Sequence, residues 1–133
     1  VKKTAPAERE PGEIYQKAYS AYLAGQYAAA AAGFGAYLAK HPDAEFSSSA
    51  AYWLAETHAG KGDMPSALAA FDRMVESYPA SVKAPAALLR GGEIAQKLGQ
   101  KAEAGKRLRS IIGRYPDALE AKRAAAILKE IGQ

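Results

Sequence analysis

The sequence predicts an all-α solenoid of three helix pairs closed by a C-terminal capping helix. Three observations predict it. First, one phrase recurs in register every 37 residues: Gly25 to Pro42, Gly62 to Pro79 and Gly99 to Pro116. In each copy Gly opens the phrase and Ala30, Ala67 or Ala104 follows five residues on. Phe34, Phe71 or Leu108 comes next, and a proline closes it. A fixed period between about 20 and 50 residues signals stacked supersecondary units. Second, the chain is rich in alanine and poor in Val, Ile and Thr, which favours helix over strand. Third, apolar residues within each copy recur at helical rather than alternating spacing.

Residues 1–11 lack an apolar period and read as a flexible linker, followed by a repeat domain over 12–133. The repeats fall at about 12–42, 46–79 and 83–116, with the capping helix over 117–132. In the first repeat a helix is expected over about 13–24, where Ile14, Ala18 and Ala21 form one stripe and Tyr15, Tyr19 and Tyr22 its neighbour. After a Gly25-Gln26 turn, a second helix is expected over about 27–40. Gly33 and Gly35 lie inside it, each weakening it by up to about 1 kcal/mol relative to alanine unless a close helix contact needs them. In the second repeat Ser47 or Ser48 is the expected N-cap. Asp63 caps the following helix, and Pro65 suits its first turn. The third repeat places helices over about 84–98, interrupted by Gly91-Gly92, and about 101–114. Gly92 aligns with Ala18 and Ala55, so a small residue recurs where the partner helix comes close. Asp117 is the expected cap of the last helix, whose apolar residues Leu119, Ala124, Ile127, Leu128 and Ile131 cover the end of the stack.

A helix–turn–helix unit with Gly at the turn, Ala then Phe in the second helix and a closing Pro resembles the tetratricopeptide repeat, which normally has 34 residues. The three additional residues are expected in the loop after each proline. Two stretches narrow the resemblance: Ala51-Tyr52-Trp53-Leu54-Ala55-Glu56, and Ser81-Val82-Lys83-Ala84-Pro85-Ala86-Ala87-Leu88-Leu89. With Gly62-Asp63, Tyr78-Pro79 and Leu98-Gly99, they resemble the C-terminal repeat domain of the Tol-Pal system protein YbgF (cell division coordinator CpoB) family over residues 13–133. Met64 and Lys101 depart from that family, which usually has an aromatic residue there. The resemblance implies a non-enzymatic periplasmic adaptor of the Tol-Pal system, with the periplasmic region of TolA and a peptidoglycan synthase as partners. It implies coordination of outer-membrane constriction with peptidoglycan synthesis in cell division. It also implies an N-terminal coiled coil that makes the full-length family members oligomeric; this stretch alone is expected to be monomeric.

The first helices of stacked pairs line a concave groove. Helical spacing places Tyr15, Tyr19, Tyr22, Tyr52, Trp53, Glu56, Leu89, Arg90, Glu93 and Gln96 on the stripe expected to face it. Tyrosine and tryptophan recur as binding hot spots. An aromatic stripe at helical spacing is also what inter-repeat packing produces, and about half of the aromatics are expected in the core.

Other chemistry finds little support. Cysteine is absent, which excludes disulfides and thiol chemistry. His58 aligns with packing residues Ala21 and Ala95, His41 precedes a proline, and no third ligand completes a metal site. Ser47 to Ser49 have no nearby base, and no phosphate-binding glycine loop has the required spacing. No cofactor and no catalytic residue are expected. No apolar run is long enough to span a bilayer. The charge is uneven, −2 over residues 1–82 and +6 over 83–133. A basic half suits either a solubilising surface or an anionic partner. Two rivals to the adaptor reading follow: another envelope repeat scaffold, such as the lipoprotein of outer-membrane barrel assembly, and nucleic-acid binding through the basic half, which predicts strong salt dependence.

Overall fold

The computed structural model describes residues 11–133 and holds seven α-helices among them. Most of the linker expected over 1–11 lies outside the described residues, and Pro11 already opens the first helix. The helices are α1 (Pro11–Leu23), α2 (Tyr27–Lys40), α3 (Ser47–Gly60), α4 (Met64–Ser77), α5 (Ala84–Lys97), α6 (Lys101–Arg114) and α7 (Leu119–Glu130). The pairs α1/α2, α3/α4 and α5/α6 pack as hairpins. Each second helix then packs on the first helix of the next unit, and α6 on α7. The fold is a tetratricopeptide-type solenoid. The second and third repeats are each a 14-residue helix, a short turn, a second 14-residue helix and a loop.

Every hairpin turn uses the same device. Gly25, Gly62 and Gly99 adopt φ of 77°, 86° and 79°, a left-handed conformation that glycine takes without a Cβ clash. The amide of each glycine donates to a carbonyl three residues back. The next amide reaches five residues back, as from Asp63 to His58 O at 2.9 Å. The orphan carbonyls of the helix end are thus satisfied and the chain is turned into the partner helix. Asp63 then caps α4 by accepting the Ser66 amide at 3.2 Å. Hydrogen bonds from the Ser66 side chain and amide hold the Asp63 carboxyl below its ordinary pKa.

The loops between repeats are tied by tyrosines. Tyr78 Oη donates to Pro42 O at 2.6 Å, and Tyr115 Oη donates to Pro79 O at 2.7 Å. Each residue before a closing proline therefore reaches back to the proline of the preceding repeat. His41 holds the aligned position in the first repeat and packs its ring on Tyr37. Ser47 is not an N-cap, contrary to expectation, and α3 begins without a side-chain cap. Ser47 is buried, donates to His41 O and accepts the Ala44 amide at 2.7 Å, so its hydroxyl closes the loop instead. Ser48 also points elsewhere, accepting a hydrogen bond from Ser81 Oγ at 3.1 Å across the repeat boundary. Asp117 does not cap α7 either; Ala118 occupies that position in extended conformation without a side-chain bond.

Two apolar clusters fill the stack. One centres on Tyr15, Phe34 and Tyr37, the other on Phe71, Met74, Leu108, Ile111 and Ile127. Helix α5 runs unbroken through Gly91 and Gly92, which are buried. A Cβ on Gly92 would lie 2.9 Å from Leu108 Cδ2, and one on Gly33 would lie 2.8 Å from Ala18 Cβ. Gly33 thus permits the α1–α2 approach, whereas Gly35 faces open space. Gly35→Ala should therefore stabilise the protein by about 0.5–1 kcal/mol through helix propensity. Gly33→Ala should destabilise it, since its neighbour is a short side chain that cannot swing away. Urea denaturation of both variants checks this; a loss of stability in Gly35→Ala would show that the position is needed for packing.

Candidate functional site

The first helices α1, α3, α5 and α7 share one surface, and their side chains meet across it. In α1, residues at i, i+4 and i+3 spacing set Tyr15, Tyr19 and Tyr22 in a row. Their rings lie nearly parallel, 6.2 and 6.4 Å apart between centroids. Trp53 of α3 packs obliquely against Tyr19 and Tyr22, with both centroids 5.2 Å away, and stands perpendicular to Tyr52 at 5.1 Å. Such tilted contacts are the favoured arrangement of aromatic quadrupoles. Lys83, in the loop before α5, sets its ammonium over the rings of Tyr52 and Trp53 at 5.0 and 5.4 Å. Its backbone is steered there by Ser81 Oγ, which accepts the Lys83 amide at 3.1 Å.

Beyond the rings the surface turns polar. Tyr52 Oη donates to Glu56 Oε2 at 3.1 Å, and Arg90 Nε of α5 donates to the same oxygen at 2.9 Å. One helix further on, Glu93 faces Arg123 of α7 at 3.9 Å. The Glu56 carboxylate is only 11% exposed, so Arg90 compensates a charge that would otherwise be costly to bury. Burial works against the charge of Arg90, but the hydrogen bond and charge of Glu56 outweigh it and raise the guanidinium pKa. Burial, reinforced by Glu56, pushes the Tyr52 phenol well above its ordinary pKa. Tyr22 is raised by burial and by Glu56, and Tyr15 chiefly by burial.

Of the ten residues expected on the groove stripe, Tyr15 falls in the core. Its ring is sandwiched between Tyr19 and Phe46, 6.2 and 5.0 Å away, and abuts Phe34 and Tyr37. Tyr52 has one side on Phe71 of the core at 5.5 Å and the other toward Trp53 and Lys83. Tyr19, Tyr22, Trp53, Glu56, Arg90 and Glu93 are half-buried and joined by the contacts above. Leu89 is half-buried against the core cluster, and Gln96 is half-buried in the last turn of α5. Two participants were not on the expected stripe. Lys83 lies in a loop and escapes helical periodicity, although the Ser-x-Lys-Ala-Pro stretch that holds it was visible. Arg123 is exposed on α7, and periodicity within one helix does not show that its guanidinium faces Glu93 of another.

The His58 ring is half-buried with Nδ1 enclosed and without a hydrogen-bond partner. No group of three or more metal-ligating side chains occurs among the described residues, and no described helix is long and apolar enough to cross a membrane. An open groove of about 1330 Å³ has none of the tyrosines of the row, nor Trp53, in its lining. It opens along α1 and α2, where small side chains such as Ala21, Ala24, Ala29 and Ala32 alternate with polar ones such as Gln16 and Lys17.

A stack of helix pairs whose first helices share an aromatic and ion-paired surface defines a repeat protein of the interaction-scaffold architecture. The model of the outer membrane lipoprotein family YfiO matches residues 7–132, and the chain belongs to that family. No curated protein matches the sequence. Among solved structures, the fold is similar to the Yersinia enterocolitica type III secretion chaperone SycD in complex with a peptide of the translocator YopD. Identity is 20%, TM-score 0.73, and the match covers 91% of each chain. An alternative dimer of the type III secretion translocator chaperone SycD from the same organism matches equally, at 20% identity and TM-score 0.73, over 92% of this chain and 91% of that one.

Two outcomes follow from this geometry. Tyr52→Ala should lower stability by about 3 kcal/mol, because its ring is anchored on Phe71. Tyr22→Ala, at the open end of the row, should lower it by about 1 kcal/mol. Equal losses in thermal denaturation would show that the whole row is core. The raised phenols also set an alkaline limit. Above an ordinary pKa of about 10 the unfolded chain loses protons that the folded chain keeps, so stability falls as pH rises further. Urea midpoints measured across that range should decline, and less steeply in Tyr52→Phe.

Proposed function

We propose that the protein is a non-enzymatic adaptor of the cell envelope that holds a segment of a partner protein on the inner surface of its solenoid. The observation that carries this reading is the continuous run of half-buried side chains from Tyr19 and Tyr22, through Trp53, Tyr52 and Lys83, to Glu56–Arg90 and Glu93, with the exposed Arg123 beyond. Rings with polar rims, mounted on rigid helices, suit protein recognition. The envelope setting is supported by membership of an outer membrane lipoprotein family. A structural neighbour that carries a translocator peptide on the same kind of fold is compatible with peptide capture.

Two settings compete. The Tyr-Trp-Leu-x-Glu and Ser-x-Lys-Ala-Pro stretches support the Tol-Pal reading: a periplasmic scaffold that contacts TolA and a peptidoglycan synthase and couples constriction to wall synthesis. Family membership supports the other, a scaffold of outer-membrane assembly. Nucleic-acid binding has only the C-terminal charge in its favour. Arg90, Arg107 and Arg123 are already engaged by Glu56, by Asp72 with Glu103, and by Glu93.

Titration of the domain with the periplasmic region of TolA, followed by calorimetry and by NMR shifts, separates these settings. The Tol-Pal reading expects saturable binding, shifts at Tyr19, Tyr22 and Trp53, and affinity about tenfold weaker in Tyr22→Ala. Absence of binding would overturn that reading. Capture of a barrel-assembly component, lost in Tyr22→Ala, would favour the alternative. Capture that Tyr22→Ala leaves intact would overturn the groove itself.

A further inference from the structure

We propose that the inner surface selects an extended, proline-bearing segment with an acidic residue seated at Lys83. This rests on the groove reading above and names the chemistry of its occupant. Tyr19, Tyr22, Trp53 and Tyr52 form a continuous platform, with Trp53 touching all three tyrosines at centroid distances of 5.1–5.2 Å. Its four members are half-buried, so part of each ring stays open to an occupant. A proline ring packs flat on such faces, its ring hydrogens meeting the electron-rich π surface. Proline-rich chains are already extended before binding, so they lose little entropy on docking. An amphipathic helix would instead need apolar slots for branched side chains at successive turns. Along this surface the platform gives way to Glu56, Arg90, Glu93 and Arg123.

Charge sets the second requirement. Glu56 is held by Arg90 at 2.9 Å and Glu93 faces Arg123 at 3.9 Å, so the acids of the groove are already matched. Lys83 is different. Its ammonium lies over two rings at 5.0 and 5.4 Å, and no carboxylate among the described residues pairs with it. A cation resting on aromatic faces stays available to a carboxylate arriving from the open side. A segment that sets proline rings on Tyr19, Tyr22 and Trp53 and an acidic side chain at Lys83 would meet both requirements.

Trp53 is the chain's one tryptophan and reports directly from the platform. The full chain is titrated with three short synthetic peptides: proline with glutamate, proline with lysine, and alanine with glutamate. Trp53 emission is the readout. The proline–glutamate peptide should shift the emission saturably and bind at least about tenfold tighter than either of the others. Lys83→Glu, with helicity checked by circular dichroism, should reverse the preference toward the proline–lysine peptide. Equal binding of the alanine–glutamate peptide, an unchanged preference in Lys83→Glu, or no response to any peptide would overturn the proposal. If no proline peptide binds while Tyr22→Ala still weakens capture of a natural partner, this proposal alone fails. If the proline–glutamate peptide binds but Tyr22→Ala leaves partner capture intact, the reading of the groove as the natural partner's site fails.

Discussion

The close approach of the two helices within each repeat is the constraint on which the rest of the structure depends. Ala30, Ala67 and Ala104 are fully buried at one repeat position, and Ala18, Ala55 and Gly92 meet the partner helix at another. Gly92 lies against Leu108, and Gly33 lies against Ala18; at both places an added Cβ would meet its neighbour at under 3.0 Å. A close-packed interior leaves no room there for a larger side chain. Close pairing in turn leaves one flank of every first helix free to meet the first helix of the next repeat. That flank is where the rings and ion pairs gather.

The surface shared by the first helices divides by energetics as well as by position. On the α1–α3 side the contacts are apolar and mutual, and they merge with the core through Tyr15 and through Tyr52 on Phe71. On the α3–α5–α7 side they are charge pairs spanning neighbouring repeats. Glu56 is sheltered and depends on Arg90, whereas Glu93 and Arg123 stand farther apart and more exposed. Removing Arg90 would strand a buried carboxylate, so that pair fixes the relation of repeats two and three as well as shaping the surface.

The fold was legible because its signals are local and repeated. The glycine, the small residue, the large apolar residue and the proline each mark a step of one helix pair, and three copies average out exceptions. Caps were harder to read. A serine hydroxyl placed before a helix can serve its first amides or the loop behind it, and at Ser47 the carbonyl of His41 wins. The face shared by the first helices was legible as a stripe but not as a boundary. Periodicity puts Tyr15, Tyr19 and Tyr22 on one line. Only the arrival of Phe46 from the next loop, stacking on Tyr15, decides which of the three is sealed. Lys83 has no periodicity at all, since it comes from a loop whose course is set by Ser81 and by contacts with another repeat.

The tyrosine ties between loops also bear on how the chain folds. Tyr78 and Tyr115 each reach back to the proline of the preceding repeat, and the helices pack chiefly on their neighbours in sequence, with α1 touching α3 and α5 touching α7. Contacts of such short range make a topology of low contact order, in which structure can start in one hairpin and spread to the next. Fraying then begins at an end and advances one hairpin at a time. The aromatic platform sits on the first two hairpins, so it can persist while α7 opens, and a chain emerging from its N-terminus can complete that platform once the loop bearing Lys83 has been made.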